Sequence, residues 1–104
     1  MARIPSVKIL LVASMPAEKR DIVGLAEAAS KRGHEVIVFF NEESVRLLAK
    51  GSGLESACGS LLACRSSLRD AGFRGEDLIP NARMSSLGEL VELLEKSDRV
   101  VFLD

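Results

Sequence analysis

The strongest nucleophile in the sequence is a cysteine with two arginines close behind it. Cys64 is followed by Arg65 and Ser66, and Arg69 comes five residues after the cysteine. A free thiol, with a pKa of about 8.5, is only a few per cent ionised at neutral pH, and the thiolate is the reactive form. Half ionisation needs roughly 2 kcal/mol, of which a helix N-terminus supplies about 0.3–2 kcal/mol. The spacing indicates a moderately activated thiolate, and a buried structural cysteine is the alternative.

Other side chains suited to a site follow the predicted strands. Met15 follows the first strand, Asn41 the second and Ser85 the fourth. In open α/β sheets, sites form outside the carboxyl ends of the strands. We therefore expect Met15, Asn41, Ser66 and Ser85 to line the approach to Cys64.

The second cysteine and the single histidine are not expected to take part. Cys58 lies six residues before Cys64, a separation of about 20 Å in an extended chain, whereas a disulfide joins Cα atoms within about 7 Å. His34 stands between a predicted helix and a predicted strand, at the opposite edge of the sheet. Structural zinc takes four ligands, so two thiols and one histidine make a poor zinc site. We expect no metal and no organic cofactor.

Short apolar runs alternate with amphipathic segments, and this alternation predicts the elements that position the candidate residues. Nearly continuous apolar runs are typical of strands buried in a parallel sheet, and apolar residues at i, i+3, i+4 and i+7 are typical of helices. Strands are predicted at residues 7–13, 35–40, 61–64, 82–85 and 99–103, and helices at 17–31, 42–50, 66–71 and 87–96. A helix over residues 54–69 is the alternative to the third strand.

This order predicts a three-layer α/β/α sandwich with a mostly parallel five-stranded sheet. Strands that alternate with helices form parallel sheets with helices on both faces, the pattern seen in flavodoxin-like folds. The chain has 104 residues, a length that favours one domain over residues 1–104.

Charge and hydropathy exclude several classes of partner. The chain carries 14 basic and 15 acidic residues, interspersed, with a net charge of −1, so the basic stripe of a nucleic-acid-binding protein is absent. No apolar run reaches the roughly 18–20 residues of a membrane span, and no signal peptide is evident. We expect a cytoplasmic protein. A mean hydropathy of +0.18 indicates a subunit interface.

The common ligand motifs of α/β folds are also missing. The loop after the first strand has no glycine, which excludes a phosphate loop and a dinucleotide fingerprint, and the chain has no Trp or Tyr to stack on a flavin. A receiver domain needs carboxylates where this chain has Ala13, Ser14 and Cys64. A cysteine phosphatase needs an arginine at position 70, where this chain has Asp70.

The second half of the chain resembles the DsrE/DsrF-like family, which includes sulfurtransferase subunits of the TusD type. Its specific part runs from Cys64 to Pro80. The resemblance implies that Cys64, at the end of the third strand, carries sulfur as a persulfide, and that subunits form homo- or hetero-oligomers. Some relatives have a second cysteine one turn later, where this chain has Ser67, so the resemblance implies a relay by a single thiol. The matching segments are residues 61–64, 67–68, 71–73, 76–80, 87–90 and 97–100, with looser agreement at 32–36 and 45–48.

Three functions follow as hypotheses. The first is sulfur relay, a possible sulfurtransferase activity with sulfur donor and acceptor proteins or small thiols as partners. The second is a non-catalytic oligomeric or partner-binding subunit, and the third is a small-ligand module between strands one and three. An exposed Cys64 at a helix N-terminus favours the first hypothesis, and a fully buried Cys64 favours the second.

Overall fold

The core of the protein is a five-stranded sheet in which every neighbouring pair is parallel. A computed structural model describes residues 6–14, 18–57 and 59–103. The strands are β1 (Lys8–Ala13), β2 (Glu35–Phe40), β3 (Ser60–Cys64), β4 (Ala82–Ser85) and β5 (Arg99–Leu103), in the spatial order β4-β3-β2-β1-β5. The predicted α/β fold is confirmed. The third strand is formed, so the alternative of a continuous helix over residues 54–69 is wrong.

Three α-helices and three short 3₁₀ helices connect the strands. The α-helices are α1 (Lys19–Lys31), α2 (Arg65–Asp70) and α3 (Leu87–Lys96), and the 3₁₀ helices are Glu42–Leu48, Leu54–Ser56 and Gly75–Asp77. The helix predicted at 42–50 is thus of the 3₁₀ type. It ends at Leu48 because Ala49 is extended and forms a bridge with Leu78. Among the described residues, no helix combines the length and the apolar character needed to cross a membrane.

The strand order explains which helix lies on which face. From β1 to β4 each strand is added on the same side of the one before, so right-handed crossovers place the connecting helices on one face. The chain then returns from β4 to β5, beside β1, and this reversal places α3 on the opposite face. We call these the α1 face and the α3 face.

Alternation along each strand separates the core into two clusters. On the α1 face, strand residues such as Val38 and Phe40 pack with Ile22 of α1 and Leu68 of α2. The α3 face holds a smaller cluster, against which Leu90 and Leu93 of α3 and Val100 pack. Its buried members are Leu10, Val12, Ile37, Phe39, Leu62 and Cys64.

One glycine fixes the entry into β3. Gly59 has a φ of 89°, in the left-handed region that favours glycine. A Cβ at this position would lie 2.6 Å from the carbonyl oxygen of Val36. Close approach of the two backbones therefore requires glycine here and sets where the strand that ends in Cys64 begins.

Candidate functional site

Cys64 ends β3 at the carboxyl edge of the sheet and is the N-cap residue of α2. This is the position predicted from the sequence. Its side chain is 2 % exposed and packs among apolar residues of the α3 face. The thiol is buried because the alternation of β3 turns Cys64 to the same side as Leu62, beneath α3.

The helix that follows Cys64 lies on the other side of the sheet. Leu68 of α2 packs into the cluster of the α1 face, and the side chain of Cys64 makes no capping hydrogen bond to α2. Arg65 and Ser66, in the first turn, and Arg69, in the last, are exposed. The structure thus places Arg65, Ser66 and Arg69 next to Cys64 in the chain, while the thiol lies in a different layer.

Ser85 is the predicted residue that the structure brings beside Cys64. The two residues are register partners on β4 and β3, at the spacing of about 4.8 Å between neighbouring strands. Ser85 is buried, and its hydroxyl donates a hydrogen bond to the carboxylate of Glu89. Both residues of the Cys64–Ser85 pair face α3, because they share the orientation of Leu62 and Arg83, two residues earlier in the strands.

Glu89 and Arg83 complete a polar group at this position, and the sequence analysis did not identify them as site residues. Arg83 donates two hydrogen bonds to Glu89, with N–O distances of 3.2 and 2.9 Å. The side chain of Ser86 caps α3 by accepting a hydrogen bond from the backbone N–H of Glu89, at 3.1 Å. The pattern Ser86-x-x-Glu89 is a capping-box spacing, so it was the available signal that Glu89 begins a helix beside the site.

The charges of this group stabilise each other. Hydrogen bonds from Arg83, and then from Ser85, lower the pKa of the Glu89 carboxyl, and the hydrogen bond to Glu89 raises the pKa of Arg83. Glu89 is consequently ionised at neutral pH and holds the hydroxyl of Ser85 as its donor. The arrangement ties the N-terminus of α3 to the end of β4.

Asn41 lies at the same edge but is occupied by structural hydrogen bonds. Its side-chain oxygen accepts from the backbone N–H of Glu42 at 2.9 Å and from the hydroxyl of Ser67 at 3.1 Å. The hydroxyl of Ser44, in the 3₁₀ helix, donates a hydrogen bond to the backbone carbonyl of Ala13 at 2.7 Å. Asn41 and Ser67 therefore join the end of β2 to α2 on the α1 face, away from the thiol.

The point where the strand order reverses lies between β1 and β5. Ligands of open α/β sheets bind outside the carboxyl ends of the strands at such a point. Here the backbone N–H of Ser14 donates a hydrogen bond to the carbonyl of Leu103 at 2.9 Å. Phe102, the residue before Leu103 in β5, has an exposed ring. Met15, predicted to line the approach to Cys64, lies outside the described residues, as does Cys58.

Among the described residues, two cavities open on the α1 side of the molecule. One, of about 320 Å³, is lined by Glu42, Glu43, Ser67 and Asp70. The other, of about 330 Å³, lies at the amino edge and includes His34 and Arg99. Cys64 lines neither of them. His34 precedes β2, at the edge away from Cys64, as predicted.

Comparison with known proteins places the chain in a family. A sequence profile of the DsrE/DsrF-like family matches residues 7–103. YchN from E. coli has a similar structure, with a TM-score of 0.75 and 18 % identity over 93 % of this chain and 99 % of YchN. MTH1491 from Methanobacterium thermoautotrophicum, a protein of unknown function, has a TM-score of 0.74 and 15 % identity over 93 % of this chain and 99 % of its own. No protein with a curated description matches significantly. The chain belongs to the DsrE/DsrF-like family, a family of general sulfur-relay type.

Proposed function

We propose that the protein relays sulfur through Cys64, acting as a single-thiol carrier. The observation that carries the proposal is the position of this cysteine, at the carboxyl end of β3 in a chain of the DsrE/DsrF-like family. Sulfur donor and acceptor proteins, or small thiols, are its proposed partners. The proposed place of action is the cytoplasm.

The transfer consists of two thiol exchange steps. The Cys64 thiolate attacks the outer sulfur of a donor persulfide, R–S–SH. The donor's S–S bond breaks, the donor leaves as the thiolate R–S⁻, and Cys64 becomes Cys64–S–SH, with the proton still on the transferred sulfur. An acceptor thiolate then attacks that outer sulfur, and Cys64 leaves as a thiolate. Sulfur moves with no net oxidation, at a rate that depends on the thiolate fraction and on access to the thiol.

Access to Cys64 requires a movement of α3. The thiol is buried on the α3 face, but none of the ten residues of α3 is itself buried. A helix that buries so little apolar surface opens at low free-energy cost compared with the rest of the core. We infer that α3 uncovers Cys64 when a donor or an acceptor binds.

The two cysteines of the chain allow a matched test. Cys58→Ser leaves Cys64 as the single thiol, and Cys64→Ser leaves Cys58. After exposure to glutathione persulfide, intact mass spectrometry is expected to show one added sulfur on Cys58→Ser and none on Cys64→Ser. The loaded Cys58→Ser protein is then expected to lose this sulfur to a small acceptor thiol. Equal loading of the two variants would refute the proposal.

The burial of Cys64 favours a second candidate function, a non-catalytic subunit that binds partners or assembles with itself. Several large apolar side chains on α3 and β5 are exposed, including Val91 at 53 % and Phe102 at 66 %, and exposed apolar patches of this kind mark interaction surfaces. In this case Cys64→Ser leaves sulfur transfer unchanged in a reaction containing donor, protein and acceptor, while light scattering still detects an assembly.

A further inference from the structure

A gap lies between α1 and the edge strand β5 at the amino edge of the sheet. Ile9 of β1 and Arg99 of β5 are register partners, so both side chains point toward the α1 face. Together with residues of α1, they line a volume of about 330 Å³. Leu25 of α1 is 43 % exposed, and Val101 of β5, which also points to this face, is 38 % exposed. Apolar side chains therefore remain open to solvent along this gap, which we call the α1–β5 groove.

The wall that α1 contributes is apolar along most of its length and basic at its end. Four residues of the helix line the groove at i, i+3, i+4 and i+7, the spacing of a single helix face. They are Leu25, Ala28, Ala29 and Arg32. The side chains of the two alanines are small and leave space between the helix and the sheet. Because Leu25 and Arg32 are seven residues apart, the wall is about 10 Å long. It thus fits an elongated apolar group that ends beside Arg32.

Three side chains with N–H donors meet at the basic end of the groove, namely Arg32, His34 and Arg99. Neither arginine forms an ion pair with another described residue. One N–H of Arg99 donates to the backbone carbonyl of Asp98 at 3.2 Å, so most of its guanidinium donors are unused. The Nδ1 atom of His34 accepts the backbone N–H of Val7 at 3.1 Å, and its hydrogen therefore lies on Nε2, as a donor. This end of the groove is suited to an anion.

The acceptor groups near the basic end are already engaged. The carboxylate of Asp98 accepts a hydrogen bond from the backbone N–H of Lys8 at 2.7 Å. Glu35 pairs with the side chain of Lys8 at 4.0 Å, on the other face of the sheet, because Lys8 alternates with Ile9. Carbonyls at the end of a helix repel an anion, but the carbonyl of Ala29 accepts two backbone N–H groups, at 3.1 Å each. The two guanidinium groups are thus available to a ligand.

We propose that the α1–β5 groove binds a medium-chain carboxylate, a molecule with one carboxylate group and an unbranched apolar chain. A guanidinium group binds a carboxylate through two parallel hydrogen bonds, so Arg32 and Arg99 hold the anionic group. The chain lies between α1 and Ile9, where burial removes its apolar surface from water. The volume is at the lower end of the range for small-molecule sites, which favours one short chain over a phospholipid. The groove lies at the opposite edge of the sheet from Cys64, and the proposal does not depend on sulfur relay.

Octanoate is the probe, and the amide signals of the full chain in two-dimensional NMR spectra report where it binds. The titration is expected to saturate at millimolar octanoate and to shift the amides of Ala28, Gly33 and Arg99, but not those of Cys64 and Ser85. Acetate carries the carboxylate alone, and octanol carries the chain alone. Each is expected to bind roughly tenfold or more weakly than octanoate, because each lacks one of the two interactions. Absence of a saturable shift with octanoate, or equal binding of octanol, would refute the proposal.

Substitutions test the two ends of the groove separately. Arg32→Gln and Arg99→Gln are each expected to weaken octanoate binding about tenfold, because hydrogen bonds to a charged group are lost. Ala28→Leu is expected to weaken it by about as much, because leucine fills the groove while it remains a good helix former. The matched control is Lys31→Gln, which removes the same charge from a position about 100° around α1 from Arg32. It is expected to change the affinity less than twofold.

Two outcomes of the substitutions would contradict the proposed site. One is octanoate binding that is unchanged in Ala28→Leu or in both arginine variants. The other is a loss with Lys31→Gln equal to the loss with Arg32→Gln, which would mean that octanoate responds only to net charge. Circular dichroism checks that each variant is folded. Leu25→Gln, a change at an exposed position, replaces Ala28→Leu if leucine prevents folding, with the same weakening expected.

Discussion

The two faces of the sheet are packed to different degrees. On the α1 face, the cluster of buried apolar residues has fifteen members among the described residues, and α1, α2 and two 3₁₀ helices all contribute to it. On the α3 face the cluster has six members, all of them strand residues. The helix that covers this second cluster contributes half-buried side chains such as Leu90 and Leu93, and no buried ones.

This difference in packing means that the two faces contribute differently to the stability of the protein. Free energies of local opening range from near zero to the full unfolding free energy, and segments with few buried apolar contacts open first. The α1 face therefore carries most of the stability, whereas the α3 face holds Cys64 beneath a helix that opens at lower cost. A buried cysteine is compatible with sulfur transfer in such a molecule, provided that opening of α3 is local.

Phe39 and Phe40 offer a direct test, because they are adjacent, fully buried and on opposite faces. Truncation of a buried Phe costs about 3–5 kcal/mol, and less where the surroundings can close the cavity. We expect Phe40→Ala to lower the free energy of unfolding by about 4–5 kcal/mol and Phe39→Ala by about 3 kcal/mol, measured by urea denaturation. If Phe39→Ala costs as much as Phe40→Ala, the α3 face is packed as firmly as the α1 face.

The next largest expected effect is on the rate at which a reagent labels the thiol of Cys64. In the Cys58→Ser background, Leu90→Ala removes contacts between α3 and the cluster around Cys64. We expect thiol labelling by a small disulfide reagent to become about tenfold faster, which corresponds to roughly 1.4 kcal/mol in the opening equilibrium.

The matched variant is Val23→Ala, which removes a half-buried side chain from the α1 face. It is expected to change the labelling rate less than twofold. Equal acceleration by Val23→Ala and Leu90→Ala would mean that Cys64 becomes accessible only when the whole molecule unfolds.

Removal of the Glu89 carboxylate is expected to loosen α3 by a smaller amount. Glu89→Ala abolishes the ion pair with Arg83 and leaves the buried hydroxyl of Ser85 without its acceptor. We expect a loss of about 1 kcal/mol at pH 7, a modest value because the partner Arg83 is largely exposed. Chemical denaturation measures this loss, and Glu92→Ala on the same helix is the control, with little effect.

The effect of Glu89 depends on pH in a defined direction. The pKa of Glu89 is lowered in the folded protein, chiefly by the hydrogen bond from Arg83. Its ionic contribution is therefore fully present above the unfolded pKa of about 4.3 and is lost as the pH falls through the lower folded value. The stability difference between wild type and Glu89→Ala should shrink below about pH 4. A difference that is constant down to pH 2 would show that the charge is not responsible.

The sequence predicted those features that depend on local pattern. The bounds of β2, α3 and β5 follow from apolar runs and from the helical period, and those of β4 follow from the turn predicted at residues 76–80. The structure has all four elements at the predicted residues. The place of Cys64 at a strand end was predicted in the same way. Its burial was not, since it depends on which face of β3 the residue occupies and on the single helix packed there.

The hydrogen bonds among the polar side chains near Cys64 likewise depend on how distant segments pack. Glu89 reaches Ser85 and Arg83 only because β4 pairs with β3 in one register and α3 begins immediately after it. Asn41 was predicted to line the site from its position after β2. Its side chain instead caps the 3₁₀ helix by accepting a hydrogen bond from Glu42, a role that asparagine commonly has at a helix start. It also accepts from Ser67, a contact that requires α2 to pack beside the 3₁₀ helix and that no local motif encodes.

Glu42 gives the smallest predicted effect and tests the α1 face at its carboxyl edge. Its φ of 53° lies in the left-handed region, which costs a non-glycine residue about 1–2 kcal/mol. The backbone is held there because the N–H of Glu42 donates to both Asn41 and Ser67, each at 2.9 Å. Glycine adopts this conformation freely but adds about 0.5–1 kcal/mol of entropy to the unfolded chain.

We therefore expect Glu42→Gly to stabilise the protein by about 0.5 kcal/mol. Glu43→Gly, the adjacent change at a residue without a positive φ, should destabilise it by a similar amount, because it adds chain entropy and removes the ion pair with Arg46. Thermal unfolding of the two variants in parallel measures both. If both are destabilised equally, the strain at Glu42 is too small to matter, and the α1 face is as relaxed at its edge as it is in its core.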